Sequence, residues 1–214
     1  MADLPFYTFW EASYARLADV EGCIFWFVGN GRWTWQRIST QPELFRTWLR
    51  ANRAKIGGAF GNHRKYETLD PDSNSSTARA IESFVQLCGP SPSAYFASIV
   101  RSVGNDPIRI FDDAYHHLRI ARFGRLAKFD FLALLGRMDL APLRPGSTYL
   151  SGATGPLRGA RLLIDGDPNS PRRADDLHQI LQRPDQTLNV GMQVMEDSIC
   201  NWQKSPHEFI HFRG

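Results

Sequence analysis

The chain has 214 residues, of which 43% are hydrophobic and 22% charged; that suits one large folded domain and excludes a chain disordered end to end. Its formal net charge of +3 is too mild on its own to imply a nucleic-acid partner. No run reaches the roughly 18 uninterrupted apolar residues of a membrane helix, and the opening MADLPFYTFWEAS lacks the basic region of a signal peptide, so a cytoplasmic protein with no membrane partner is expected.

Helical periodicity dominates in chain order. Residues 6–17 place Phe6, Phe9, Trp10, Ser13 and Leu17 on one face. Residues 24–35 are dense in aromatics and are broken by the turn former GNG at 29–31. Residues 41–53 read as a helix with Leu44, Phe45, Trp48 and Leu49 inward. Residues 57–77 carry turn formers without periodicity and are the most loop-like stretch, mobile or in contact with DNA. Helices are then expected over 77–88, ended by GPSPS, and over 93–103. Asp106 can cap the next helix, with Pro107 at its first position, running to about residue 121. Further helices follow over about 124–138, 157–164, a short stretch around 177–181, and 191–204. No strand alternation exceeds a few residues and no internal repeat exists, so the fold class is all-α. A single helical domain over 1–214 is expected, with an aromatic-rich half (1–105) and a DNA-binding and catalytic half (106–214).

Cys23, Cys88 and Cys200 are widely spaced and form no CxxC pair, so neither a zinc ribbon nor a disulfide framework is supported; three reduced, mostly buried thiols are expected. His116 and His117 are adjacent, so on a helix they diverge by about 100° and make poor co-ligands. No metal site and no cofactor are expected.

Charge is unevenly distributed. Between 116 and 161 stand eight basic residues, Arg119, Arg122, Arg125, Lys128, Arg137, Arg144, Arg158 and Arg161, against only Asp130 and Asp139. Clustered positive charge is what phosphate binding needs, because it releases condensed counterions. Arg119, Arg122 and Arg125 recur every third residue beside Lys128, which places them roughly on one side. Next to this cluster lies YLSGATGPLRGARLLIDG (149–166): a helix or turn ending at Leu150, then a glycine turn, then a helix. Gly152 and Gly155 permit a tight hairpin and a close backbone approach to a ligand. Pro156 suits a first helical turn, whose unpaired N–H groups favour an anion. Arg158 and Arg161 lie one turn apart on that helix, and Gly159 allows a second helix to pack closely. The pattern is that of a helix-hairpin-helix turn holding a DNA phosphate, similar to the hairpin of helical DNA glycosylases with one additional residue in the turn.

Three segments, LRIARFGRLAKFDFLALLGRMDL (118–140), YLSGATGPLRGARLLIDG (149–166) and VGMQVMEDSICNWQKS (190–205), resemble the phage amino acid:DNA transferases, also called alpha-glutamyl/putrescinyl thymine pyrophosphorylases, clade 3. The resemblance implies a glycosylase-like helical scaffold. It also implies an activity in a phage-infected bacterium: a DNA kinase acts upstream on 5-hydroxymethyluracil in double-stranded DNA, and the transferase displaces the phosphate or pyrophosphate with an amine from an amino acid or polyamine. The product is a hypermodified thymine.

Such a reaction needs a base to deprotonate the amine, cations for the leaving phosphate, and a pocket for an extruded base. On residues 191–204, Val194, Met195, Ile199 and Trp202 form an apolar face, and Gln193, Asp197, Asn201 and Lys204 share the opposite stripe. Asp197 is the expected base, Glu196 the alternative bordering the two faces, and Asn201 a hydrogen-bonding group. Asp165 and Asp167 stand next in line. Cys200 could add to C6 of the uracil, although a buried thiol explains it more simply. Arg119, Arg122, Arg125 and Lys128 are expected on DNA phosphate and on the leaving group. The rival functions are a monofunctional glycosylase using Asp175 or Asp176, and a DNA-binding module without catalysis; the hairpin helix has no lysine for a Schiff base.

Overall fold

The computed structural model describes Trp33, residues 35–56 and residues 67–208. The expected helix over 6–17, the aromatic run over 24–32, Cys23 and the loop over 57–66 lie outside the described residues. The described part holds nine α-helices and no strand, so the all-α expectation is met. The helices are α1 (Trp35–Thr40), α2 (Pro42–Asn52), α3 (Thr77–Cys88), α4 (Pro92–Val103), α5 (Pro107–His117), α6 (Arg125–Arg137), α7 (Gly155–Asp165), α8 (Ala174–Leu188) and α9 (Met192–Trp202); a single 3-10 turn (Arg53–Lys55) follows α2.

Short polar side chains set several helix starts. Ser76 accepts from Ala78 N at 3.1 Å to open α3, Ser91 accepts from Ala94 N at 3.2 Å to open α4, and Asp106 accepts from Ile108 N at 2.9 Å to open α5. Proline stands in the first turn of α2, α4, α5 and α7, where its missing N–H costs no helical bond. α8 is far longer than the short helix expected: it continues through Pro184 to Leu188 and stops where Asn189 turns left-handed at φ 50°.

Two apolar clusters result. The larger unites α1–α6 around Trp35, Phe45, Phe84, Phe111, Phe129 and Phe131, with rings meeting mostly edge to face, as at Phe84–Phe131 (5.7 Å, 88°). α6 is its axis. It buries Ala127, Phe129, Phe131, Leu132, Ala133 and Leu135, positions spread around the helix, which marks a core helix rather than an amphipathic surface one. The smaller cluster joins α7, α8 and α9 through Leu150, Ala160, Leu177, Leu181, Met195 and Ile199.

The glycine turn leads into α7 as expected: Ala153 N donates to Leu150 O at 2.9 Å and Gly152 takes φ 74°. Residues 139–150 before it hold no helix, so the turn is flanked by a helix on its C-terminal side only. Gly159 serves packing. A Cβ there would lie 2.2 Å from the carbonyl oxygen of Ile199, so α7 and α9 approach backbone to backbone. In an open helix, glycine to alanine gains up to about 1 kcal/mol. Gly159→Ala should instead destabilise by about 1–3 kcal/mol, because the obstacle is a backbone atom and the two helices must part. Gly155→Ala should cost less, since its Cβ would meet the side-chain sulfur of Cys200 at 2.8 Å. Denaturant titration of both variants measures the difference.

Candidate active site

Arg125, in the first turn of α6, points into the junction of the two clusters. Its Nε donates to Tyr149 O at 2.9 Å, its Nη2 to Thr148 O at 2.6 Å, and its Nη1 to Glu196 Oε1 on α9. The Glu196 side chain is 2% exposed and that of Arg125 12%. A charge so far from water survives only when paired and hydrogen-bonded, and each edge of this guanidinium is engaged. Burial pushes the Glu196 carboxyl up, the charge and hydrogen bond of Arg125 oppose it, and the neighbouring Asp197 adds to the rise.

Asp197 sits on the exposed side of α9. Crowding of its carboxyl by protein also pushes it up, against a hydrogen bond with Glu196 and the positive charges of Arg137 and Arg125. The two carboxyls thus share a hydrogen bond, with one member inside and one facing solvent. Asn201 does not aim either carboxylate. Its Nδ2 donates to the backbone oxygen of Asp197 at 2.9 Å, and its Oδ1 accepts from Lys204 Nζ at 2.8 Å.

The expected arginine row falls in a non-helical link, because α5 ends at His117 and α6 starts at Arg125. Arg119 is exposed and donates to the carbonyl of His116. Arg122, left-handed at φ 68°, pairs with Glu67 at 3.1 Å. Arg125 turns inward, so the three are brought to three different partners rather than one face. Lys128 is half-buried, its Nζ 5.8 Å from the centroid of Tyr115, and burial followed by the charge of Arg119 lowers its pKa. On α7, Arg158 is exposed, while Arg161 donates to the carbonyl of Arg172 at 3.0 and 3.2 Å.

The remaining candidates are mostly engaged. Asp165 pairs with Arg172 (Nε–Oδ1 2.8 Å) and accepts from Ser170, and these bonds hold its carboxyl below the usual range. Asp167 accepts from Asn169 N at 2.9 Å. Asp175 pairs with Arg173 at 3.2 Å, and both are exposed. Burial and the nearby Glu196 push the Cys200 thiol up, away from thiolate. Cys88 is buried, Cys200 half-buried, and neither is in a disulfide. Among the described residues no three His, Cys, Asp or Glu side chains converge as metal ligands, and no helix is long and apolar enough to cross a membrane.

Sequence reasoning missed Tyr149. Its backbone is left-handed at φ 45°. Its carbonyl takes Arg125, its hydroxyl donates to Asp112 Oδ1 at 3.1 Å, and its ring meets Phe111, Tyr115 and Phe129 at 4.2–5.8 Å between centroids. Burial, then Asp112, raises the phenol, so it stays a donor. No period or motif signals such a residue, because its partners are 24 and 37 positions away.

A family model described as alpha-glutamyl/putrescinyl thymine pyrophosphorylase clade 3 matches residues 13–214. No curated protein and no solved structure matches.

The buried pair makes a direct prediction. Removing either charge strands the other, so Arg125→Met or Glu196→Met should each destabilise by about 3–5 kcal/mol, while the double variant should recover much of that loss. Chemical denaturation of the four proteins in the cycle measures the coupling.

Proposed function

The chain belongs to the alpha-glutamyl/putrescinyl thymine pyrophosphorylase clade 3 family, and from that premise we propose that it transfers the amine of an amino acid or polyamine onto the methylene of phosphorylated 5-hydroxymethyluracil in DNA. Thymine modification by a pyrophosphorylase-type enzyme is what the family description states. The amine, the phosphorylated base and an upstream DNA kinase are the finer part of the proposal. In the step itself, the amine nitrogen forms a bond to the exocyclic carbon, the carbon–oxygen bond breaks, phosphate or pyrophosphate leaves with the bonding electrons, and a protein base takes the amine proton.

The observation that carries the proposal at the level of residues is the Glu196–Asp197 pair beside Arg125 and Arg137. Asp197 is the better base: it faces solvent, and its upward shift brings it closer to neutrality, where a general base works best. Glu196 is the anchor that holds Arg125. Exposed cations nearby, Arg137 foremost, suit a leaving phosphate.

DNA docking is supported by the start of α7. Ser151, Gly152 and Thr154 are exposed, and Thr154 makes no side-chain cap bond, so that helix end keeps donors for a phosphate oxygen. Arg158, one turn on, stands exposed beside it. Extrusion of the target base and a glycosylase-like scaffold are proposed with this docking.

Arg158→Ala should lower the magnitude of the slope of log affinity against log salt by about 0.9, one phosphate contact. Arg161→Ala should change it less, because Arg161 already serves the carbonyl of Arg172. Titrations of duplex DNA at several salt concentrations measure both; unchanged slopes in both variants would place this helix away from DNA.

Asp197→Asn should slow single-turnover transfer by about 10²–10⁴-fold while binding of phosphorylated DNA is kept. Nucleoside mass spectrometry after incubation with that DNA and a mixture of amines reads the product. Released phosphate with a mass gain on thymine is expected; a released free base would mean a glycosylase, and an unchanged rate in Asp197→Asn and Glu196→Gln would take the base off α9.

A further inference from the structure

The expected apolar face of α9 divides in the structure. Met195 and Ile199 are buried in the smaller cluster, whereas Val194 and Trp202 stand 42% and 38% exposed. These two share the outer side of the helix with Asp197 and Ser198. We propose that Trp202 is the platform on which the target thymine stacks, and that it lays this base across the outer side of α9 with the reacting carbon toward Asp197. The assignment rests on Asp197 as the base of the transfer proposed above.

First, Trp202 is an aromatic residue without an aromatic partner. Every other phenylalanine, tyrosine and tryptophan among the described residues meets at least one ring, with centroids 4.2–6.5 Å apart. Among those residues Trp202 meets no ring and has no cation over its face. A flat π-face of this kind is what a nucleobase stacks on, whichever base it is. Second, the face is held in place. α9 is set against α7 at Gly159, and the Trp202 carbonyl accepts from Ser205 N at 3.1 Å. A platform whose backbone is fixed before the ligand arrives loses little entropy on binding. Third, charge selects a base over a backbone. Glu196 is buried, so Asp197 is the one charge on the outer side of α9. It repels a phosphate and leaves a neutral ring unopposed. Cations for the backbone stand on neighbouring helices, Arg158 on α7 and Arg137 on α6. Fourth, the spacing suits the reaction. Asp197 and Trp202 are separated by about 7.5 Å along the axis and about 140° around it, with Val194 and Ser198 on the exposed arc between them. Carboxylate and indole thus flank one arc, and a ring stacked on the indole can turn the edge that bears its exocyclic carbon toward the carboxylate.

The full chain is titrated with a duplex carrying phosphorylated 5-hydroxymethyluracil and with the same duplex made abasic at that position. Trp202→Leu keeps apolar bulk and removes the ring. It should weaken binding of the first duplex on the order of tenfold, the effect of one lost stack, and leave the second unchanged. The slope of log affinity against log salt should not move, since no phosphate contact is lost. Trp202→Phe, which keeps a ring, should stay within a few-fold of the parent on both duplexes. Irradiation of a duplex with 5-bromouracil at the target position should cross-link the parent at Trp202, as located by peptide mass spectrometry. Circular dichroism checks that each variant is folded, and the Phe variant separates loss of the ring from loss of structure. A Leu variant that binds both duplexes as the parent does, or weakens on both alike, overturns the platform, as does a cross-link elsewhere with none at Trp202. Light scattering that shows a parent dimer dissolved by Trp202→Leu makes Trp202 a contact between copies and also overturns it. Amine transfer by the parent, matched in rate and in half-saturating DNA concentration by the Leu variant, overturns the platform and leaves the reaction standing. Base-dependent binding lost in Trp202→Leu, with no transfer by the parent, leaves the platform standing and overturns the reaction.

Discussion

The structure depends on how one buried cation is satisfied. Arg125 needs acceptors on every edge, and the chain supplies two carbonyls from residues 148 and 149 and one carboxylate from residue 196. Those three acceptors belong to different parts of the molecule. The arginine stands on the axis of the larger cluster, Leu150 and α9 belong to the smaller one, and residues 148 and 149 are the chain passing between them. Satisfying Arg125 therefore fixes how the two cores meet. The alternative, a cation stranded away from water, is costly enough to make the geometry nearly obligatory.

The same constraint explains a residue that would otherwise be poorly placed. A left-handed tyrosine costs about 1–3 kcal/mol and persists only where its surroundings over-determine it. Tyr149 is held by carbonyl, hydroxyl and ring at once. Its carbonyl takes Arg125 of α6 and its hydroxyl donates to Asp112 of α5, so one residue ties the two helices. Close by, the glycine at 159 lets α9 sit against α7 at backbone distance, and this sets the depth of Glu196. The depth of Glu196 follows from packing, then from its charge pairing with Arg125.

Much of the fold was legible in local chemistry. Ser76, Asp106 and the first-turn prolines mark helix starts in the sequence because a cap is a contact between near neighbours. α1 is only six residues long and begins where the aromatic run ends, too short to show a helical period. α8 was cut short because a proline usually ends a helix, and here the helix runs on past it. The carboxylates of α9 were legible from the helical stripe, but their roles were not: which one turns inward depends on Arg125, 71 residues away. The arginine row failed for the same kind of reason. Every-third-residue spacing implies a shared face only within a helix, and residues 118–124 are not helical. The stripe also does not show that Asn201, a short polar side chain in a helix, bonds the carbonyl four residues back.

Charge placement differs on the two sides of Tyr149. The start of α7 and Arg158 are exposed, and Arg137 lies near Asp197, so positive charge gathers on that side. On α5, Asp112 and Asp113 are each met by a histidine one turn on, His116 at 3.4 Å and His117 at 3.3 Å. Tyr149 reaches both regions, its carbonyl on Arg125 and its hydroxyl on Asp112, and burial keeps the phenol a donor. The tie between α5 and α6 is therefore made by hydrogen bonds and ring packing rather than by an exposed ion pair, and salt screens such a tie far less than it screens surface charges.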